Sequence, residues 1–413
     1  MRLSRATLTA ATVATWAIFA PAHAQSPYPP ANPPTCRSTG SFDAWLQGFR
    51  KEALDSGISR ATVAGVLDGM TMDPGVIGRD RKQGFFAQSF LAFSDKLISQ
   101  NRIQNGIARL KQHRDLFAKV EKQYGVPGPV IAAFWALETD YGSFLGKLPV
   151  LRALATLAYD CRRPDMFRAE FMDALRIIDR GDLTAEEMIG SWAGELGQTQ
   201  FLPSHYLKHA IDYDGDGRRN LITSIPDVIA SSAAFIAHLG WKRDQPWLEE
   251  VRVPSNLAWD QADLTILHPR AKWAAWGVTR ADGGKLAADT LPASLLLPMG
   301  RYGPAFLAYE NFQVYLKWNH SLNYCVTAAY LATRLAGAPP MSRGSRDIPE
   351  LSLEQVKEVQ QLLARRGLEV GEIDGKIGAA TRASVKAAQM KLGLPADSYP
   401  TLELIERLRA QQR

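Results

Sequence analysis

Among the side chains able to move a proton, Glu138 stands in the most unusual company. Residues 125–145 read GVPGPVIAAFWALETDYGSFL, so this carboxylate follows Phe134 and Trp135 and precedes Tyr141. Pro127 and Pro129 suit a helix start and Gly142 suits its end, which predicts a helix here. On that helix Ile131, Trp135, Glu138 and Gly142 follow one another at spacings of four, three and four and share a face. A carboxylate set among aromatic rings is costly to ionise, and its pKa rises. A carboxylic acid of that kind is what a glycosidic leaving oxygen needs as a proton donor. The alternative is a glutamate at a helix end, capped by local donors or facing solvent. Asp140, two positions on, points to another side of the helix and makes no pair with Glu138. Glu195 lies in a loop from which it is able to approach, although nothing in the sequence requires it to do so.

That loop, residues 190–206, reads GSWAGELGQTQFLPSHY and holds three glycines in its first eight positions. Glycines let backbone come close to a ligand. Gln198 and Gln200 carry amides that donate and accept at once, which suits acetamido sugars, and Trp192 and Tyr206 offer stacking faces. The competing reading is an ordinary polar turn between helices. Next comes Asp212-Tyr213-Asp214-Gly215-Asp216-Gly217-Arg218, with carboxylates at positions 1, 3 and 5 and glycine at 6, the first half of a calcium loop. The carbonyl of Arg218 would be the seventh-position ligand, Thr223 stands where a closing glutamate would be, and Asp227 is placed to supply the closing carboxylate. A Ca2+ or Na+ ion here would brace loops and take no part in chemistry. The alternative is an acidic turn solvated without metal.

These residues need a body to hold them. The chain has 413 residues, too many for one compact domain, and its 46% hydrophobic content excludes wholesale disorder and fibrous classes. Met1 to Ala24 has a short basic start, an apolar stretch and an Ala22-His23-Ala24 ending, the pattern of a cleaved secretory leader. Residues 25–40 form a Pro-rich arm, helical spacing dominates 41–337 with shorter strand-like runs over 249–300, and 338–350 reads as a linker. The formal net charge is +6, of which Arg2 and Arg5 lie in the leader, and no Lys/Arg run or zinc-finger spacing points to nucleic acid. A weakly basic surface suits an anionic matrix such as a bacterial wall. No apolar run outside the leader is long enough for a membrane span. Export permits disulfides, and of the three cysteines Cys36 and Cys161 are the better pair, because Cys325 lies in an apolar helical pattern.

The C-terminal segment 351–413 opens with a capping-box pattern, Ser352-x-x-Gln355, and continues with three short helical patterns around a GEIDGKIG turn. Its stretch VQQLLARRGLEVGEIDGKIGAATRASVKAAQMKLGL resembles the bacterial peptidoglycan-binding domain, departing at Ser398-Tyr399-Pro400, where a Gly-x-Pro turn is more usual. The larger part, through FWALETDYGSFLGKLPVLRALATLAYD, GSWAGELGQTQFLPSHYLKHAIDYDGDGRRN and GPAFLAYENFQVYLKWNHSLNYCV, resembles periplasmic lytic murein transglycosylases of the membrane-bound-lytic-transglycosylase-B type. The resemblance implies a mainly α, lysozyme-like catalytic domain over 41–337 with a small strand-containing insertion, and a three-helix wall-binding domain. It implies Glu138 as the single catalytic acid and base, Ser191, Gln200, Asn319 and Tyr324 as cleft residues, and Asp212, Asp214, Asp216 and Asp227 as the metal loop. The reaction implied is cleavage of the β-1,4 bond between N-acetylmuramic acid and N-acetylglucosamine, with a 1,6-anhydro end and no cofactor needed for chemistry. A periplasmic monomer is expected, acting on glycan strands and in company with other wall-remodelling proteins. Thr139 after the glutamate and Trp318 before the asparagine depart from relatives and bear on substrate fit. The competing hypotheses are a hydrolytic muramidase with Glu195 as base, and a wall-binding scaffold without catalysis.

Overall fold

The computed structural model describes residue 38, residues 40–81 and residues 88–411. The leader, most of the Pro-rich arm and Cys36 lie outside the described residues. Cys161 is disulfide-bonded; Cys325 is a free, buried thiol.

The molecule is mainly helical. Its centre is the helix Gly128–Thr139, in which every residue from Val130 to Ala136 is buried. A helix apolar on all sides must be covered on all sides. Gln100–Gln112, Arg114–Tyr124, Ile225–His238 and Leu322–Leu335 supply that cover. Pro127 caps the start and Pro129 sits in the first turn, as the sequence leads one to expect. The end differs. The helix stops at Thr139, not Gly142, because Asp140, Tyr141 and Gly142 all take positive φ (51°, 60° and 82°). Two of the three are not glycine, so the turn is held from outside: Arg102 pairs with Asp140 at 3.0 Å, and the Tyr141 hydroxyl donates to the Arg102 carbonyl at 2.9 Å.

After this turn the chain forms a two-stranded ladder, Leu148–Pro149 against Ile189–Gly190, which ties the end of the central helix to the polar loop. The strand-like runs become a five-stranded antiparallel sheet. Its strands stand in the order His268–Pro269, Pro292–Leu296, Ala305–Ala308, Leu248–Arg252 and Thr279–Arg280. Alternate side chains feed two hydrophobic clusters: Leu248 and Phe306 join the main core, while Val251, Leu295 and Leu307 build a second one around Trp273.

The C-terminal module consists of helices Leu353–Ala364, Ala379–Lys391 and Leu402–Ala410 around Val359, Leu363, Val385 and Leu404. The capping box is formed in both directions, with Gln355 N–H donating to Ser352 Oγ at 3.2 Å and Ser352 N–H donating to Gln355 Oε1 at 2.8 Å. Residues 338–350 carry no helix or strand, yet they are strapped to the larger domain through Ser342 N–H to Glu250 and Arg343 to Asp95. The unusual Ser398-Tyr399 turn has a structural reason. Ser398 takes φ 64°, the region glycine favours, and Gln389 fixes it by bonding Ser398, Asp397 and Tyr399. Tyr399 then packs into the main core of the larger domain, and Asp397 pairs with Arg301. The departure from the usual turn is therefore one of the places where the module docks, beside Arg382 on the Leu297 carbonyl and Lys386 on Asp263.

Candidate active site

Glu138 sits in the last turn of the central helix, partly exposed as a residue, with its carboxyl surrounded by protein. Two donors reach Oε1: the Tyr324 hydroxyl at 2.5 Å and the Trp318 indole N–H at 3.1 Å. Both come from the far end of the domain sequence. Trp318 ends the helix Phe312–Trp318, and Tyr324 lies in the first turn of Leu322–Leu335, where Ser321 caps the start. That second helix packs directly on the central one. Phe134 stacks on Trp318 with ring centres 4.2 Å apart, so the indole is oriented before it reaches the carboxyl.

Burial pushes Glu138 up to about 7, against the two hydrogen bonds, which favour its ionised form and pull the other way. Tyr324 is itself held far above the ordinary tyrosine range, by burial first and the neighbouring carboxyl second, and stays a neutral donor. The arrangement holds a protonated acid near neutral pH and cradles the carboxylate left once the proton is gone. Replacing Tyr324 with phenylalanine removes a donor to the ionised form. The expected result is a kcat lower by about ten- to a hundredfold and an alkaline limb moved to higher pH, read from a pH–rate profile. An alkaline limb that stays put or moves down would count against the assigned role.

The other expected cleft residues separate into two groups. Asn319 is buried, its Oδ1 accepts from Ser321 N–H, and its Nδ2 has no partner among the described residues. Gln200 adopts φ 49° and spends its amide nitrogen on the Leu145 and Gly197 carbonyls, which leaves Oε1 without a protein partner among the described residues. Both keep a polar atom for a ligand. Gln198 does not. Its Oε1 accepts from the Trp135 indole at 2.8 Å and its Nε2 donates to the Ile222 carbonyl at 2.9 Å, so it cross-links the central helix to the loop. Tyr206 is fully buried, donating to the Arg219 carbonyl and accepting from Leu221 N–H, and offers no stacking face. Trp192 is buried as well. Ser191 accepts from the Ala193 and Glu195 N–H groups and donates to the Glu195 carboxyl, so it serves the inside of its own turn. Asp140 bonds Arg102, in keeping with its not pairing with Glu138. Sequence reading had no signal for Trp318 as a direct donor to Glu138, because the contact spans 180 positions.

In the acidic loop, carboxylate oxygens of Asp212, Asp214 and Asp227 lie within 4.8 Å of one another. Asp216 stands outside that group, and its Oδ1 accepts from Arg218 N–H. The Arg218 side chain turns away to Asp182 and Glu187. Asp227 is fully buried, and burial raises its pKa in spite of backbone donors from Tyr213 and Asn220. An all-oxygen set with one buried carboxylate at odds with its surroundings fits a hard divalent cation, which would reverse that penalty.

Residues 41–333 match the transglycosylase SLT domain family. The chain belongs to that family. Residues 352–408 match the peptidoglycan binding domain family. The chain is 29% identical over 254 residues to membrane-bound lytic murein transglycosylase B of Escherichia coli, covering 60% of this chain and 68% of that protein. The crystal structure of SltB3 from Pseudomonas aeruginosa in complex with NAG-anhNAM-pentapeptide superposes with a TM-score of 0.84 at 40% identity, over 90% of this chain and 100% of that one. The Escherichia coli lytic transglycosylase Slt35 in complex with calcium gives a TM-score of 0.61 at 27% identity, over 70% of this chain and 92% of that one. The family is one of lytic transglycosylases that act on peptidoglycan, and this chain is such an enzyme, with a lysozyme-like catalytic domain and a C-terminal wall-binding domain. No helix among the described residues is long and apolar enough to cross a membrane.

Proposed function

We propose that the enzyme cleaves the β-1,4 bond between N-acetylmuramic acid and N-acetylglucosamine in the periplasm and leaves 1,6-anhydromuramic ends, with Glu138 as its single acid and base. The observation that carries this reading is one raised carboxyl under two neutral donors. Glu138 protonates the leaving oxygen as the C1–O bond breaks, while the muramic acetamido group assists at C1. The resulting carboxylate is held by Tyr324 and Trp318. It then takes the proton of the muramic C6 hydroxyl as O6 bonds to C1, so the acid is regenerated and no water is consumed. Asn319 Nδ2 and Gln200 Oε1 orient the sugar.

The hydrolytic alternative needs a second carboxylate that is ionised and in contact with water. Glu195 answers neither need. It is fully buried, and burial pushes it up to about 8. The scaffold alternative does not account for a raised carboxyl at the cleft. Mass spectrometry of fragments released from purified peptidoglycan decides between them. Products one water lighter than hydrolytic ones support the proposal, whereas full-mass products with a reducing end would overturn it.

Asp212, Asp214 and Asp227 would hold a Ca2+ ion whose charge braces the loops behind Gln198 and Tyr206; the Slt35 structure is a complex with calcium. Added calcium is expected to raise Tm in a titration followed by calorimetry, the stability gained being about 3 kcal/mol at a hundredfold excess over Kd. Asp214→Ala, which removes the ligand oxygen altogether, should lose this response. Asp214 is the appropriate position because it is exposed, whereas Asp227 also satisfies buried backbone donors.

A further inference from the structure

Glu195 is a carboxyl the mechanism does not use, yet it is sealed inside the loop that is tied to the central helix beside Glu138. It is fully buried, and its Oε1 has no hydrogen-bond partner among the described residues. Its other oxygen meets Ser191. The Ser191 hydroxyl already accepts from Ala193 N–H at 3.1 Å and from Glu195 N–H at 3.2 Å, so both lone pairs are occupied. Its own proton therefore goes to Glu195 Oε2. A neutral Glu195 must then carry its proton on Oε1.

The charges facing this carboxyl are Glu138 from the central helix and Arg163 from the segment before Pro164–Asp179. Arg163 is committed elsewhere: its guanidinium pairs with the buried Asp80 and lies 4.8 Å above the Phe167 ring. The helix Val150–Tyr159 presents Val150 and Leu154 to the same loop. Burial is the main cause that lifts Glu195 to about 8, over the Ser191 hydrogen bond and the Arg163 charge that pull the other way, and the Glu138 charge adds to the rise. An ionised Glu195 would leave one anionic oxygen unpartnered behind a catalytic carboxylate.

We propose that Glu195 is a positioning residue for the reaction at Glu138: held uncharged, it locks the 190–200 loop through Ser191 and keeps a second negative charge away from the catalytic carboxyl. The inference rests on the transglycosylase reading above, and it makes the active form of the enzyme one in which both carboxyls are protonated.

The test compares pH–rate profiles of product release from purified peptidoglycan for the wild type, Glu195→Gln and Glu195→Ala, with folding checked by circular dichroism. Glutamine preserves shape, accepts from Ser191 and stays neutral. It is expected to stay within about threefold of the wild-type rate at pH 6, whereas alanine loses about tenfold or more. Above pH 8 the wild-type log rate should fall with a slope approaching about −2, and the glutamine variant with about −1. Equal losses in both variants at pH 6 would overturn the proposal. So would an alanine variant as active as the wild type, or a wild-type slope of about −1 unchanged by glutamine. If alanine prevents folding, the glutamine profile decides alone. Full-mass products from the wild type would sink the transglycosylase reading, while the comparison of slopes would still judge Glu195.

Discussion

Replacing Glu138 with glutamine is expected to lower release of anhydro products by about a thousandfold or more, with wall pelleting retained. The argument starts from geometry. Tyr324 and Trp318 both donate to one oxygen of this side chain, and glutamine keeps an acceptor there while having no proton to give. The fold has no need of the charge. In the wild type the folded carboxyl lies near 7 against an ordinary 4.5, chiefly through burial. A raised folded pKa contributes stability below the unfolded value and loses it as pH rises through the folded one. At pH 4 the two proteins should therefore melt together, and at pH 8 the glutamine variant should be the more stable. The difference is at most about 3 kcal/mol, and smaller because the residue is partly exposed. The module at 351–411 packs around its own core, so sedimentation with peptidoglycan should survive the substitution. Undiminished product release by the glutamine variant would remove Glu138 from the mechanism.

The second large effect is expected from Gly146→Ala. Gly146 has φ 105°, and a Cβ built there would lie 2.0 Å from the Gly190 carbonyl oxygen. Backbone meets backbone at this point, so no side chain is able to swing aside. The contact sits beside the Leu148–Gly190 pair that joins the end of the central helix to the polar loop. Opening it displaces Ser191, Glu195 and Gln200 together. The cost should be about 3–5 kcal/mol, seen as a lower Tm and loss of product release. Gly181→Ala is the matching control. It has φ 83° with nothing within 4 Å of the added carbon, so it should cost only about 1–2 kcal/mol. If both variants melted alike, the close approach at Gly146 would carry no special weight.

Much of the fold can be read from local pattern. The capping box at Ser352, the apolar spacing of three C-terminal helices and the proline-led start of the central helix all act within a few residues of themselves. The turn of the acidic loop was equally open to reading, since Gly215 and Gly217 take the positive φ values that a tight carboxylate loop demands, but that Asp216 stands outside the group of Asp212, Asp214 and Asp227 was not. The end of the central helix was not. Gly142 looks like a terminator, but the helix stops three residues earlier because Arg102, 38 positions away, pairs with Asp140.

The cleft shows the same division at finer grain. Gln198 and Gln200 are two positions apart, of one residue type and in one polar loop, so sequence treats them alike. The folded chain gives Gln198 to the Trp135 indole and the Ile222 carbonyl, and leaves Gln200 one oxygen for a ligand. Tyr206, on the helix Pro203–His209, and Trp192, in the glycine-rich loop, failed as stacking faces for a related reason: an aromatic ring is drawn inward unless the surrounding elements leave it outside.

What the sequence by itself determined was the identity and local setting of the groups: an acid on an apolar helix, a glycine-rich amide loop, an acidic turn and a wall-binding module. Those properties rest on residue type and short spacing, which the chain carries wherever it goes. The tertiary structure decided which aromatic groups touch the acid, which amides remain open and that the second carboxyl is sealed. Those outcomes depend on contacts between segments as many as 186 residues apart, as between Tyr324 and Glu138. Their energies come from burial and hydrogen bonding that exist only once the helices have packed.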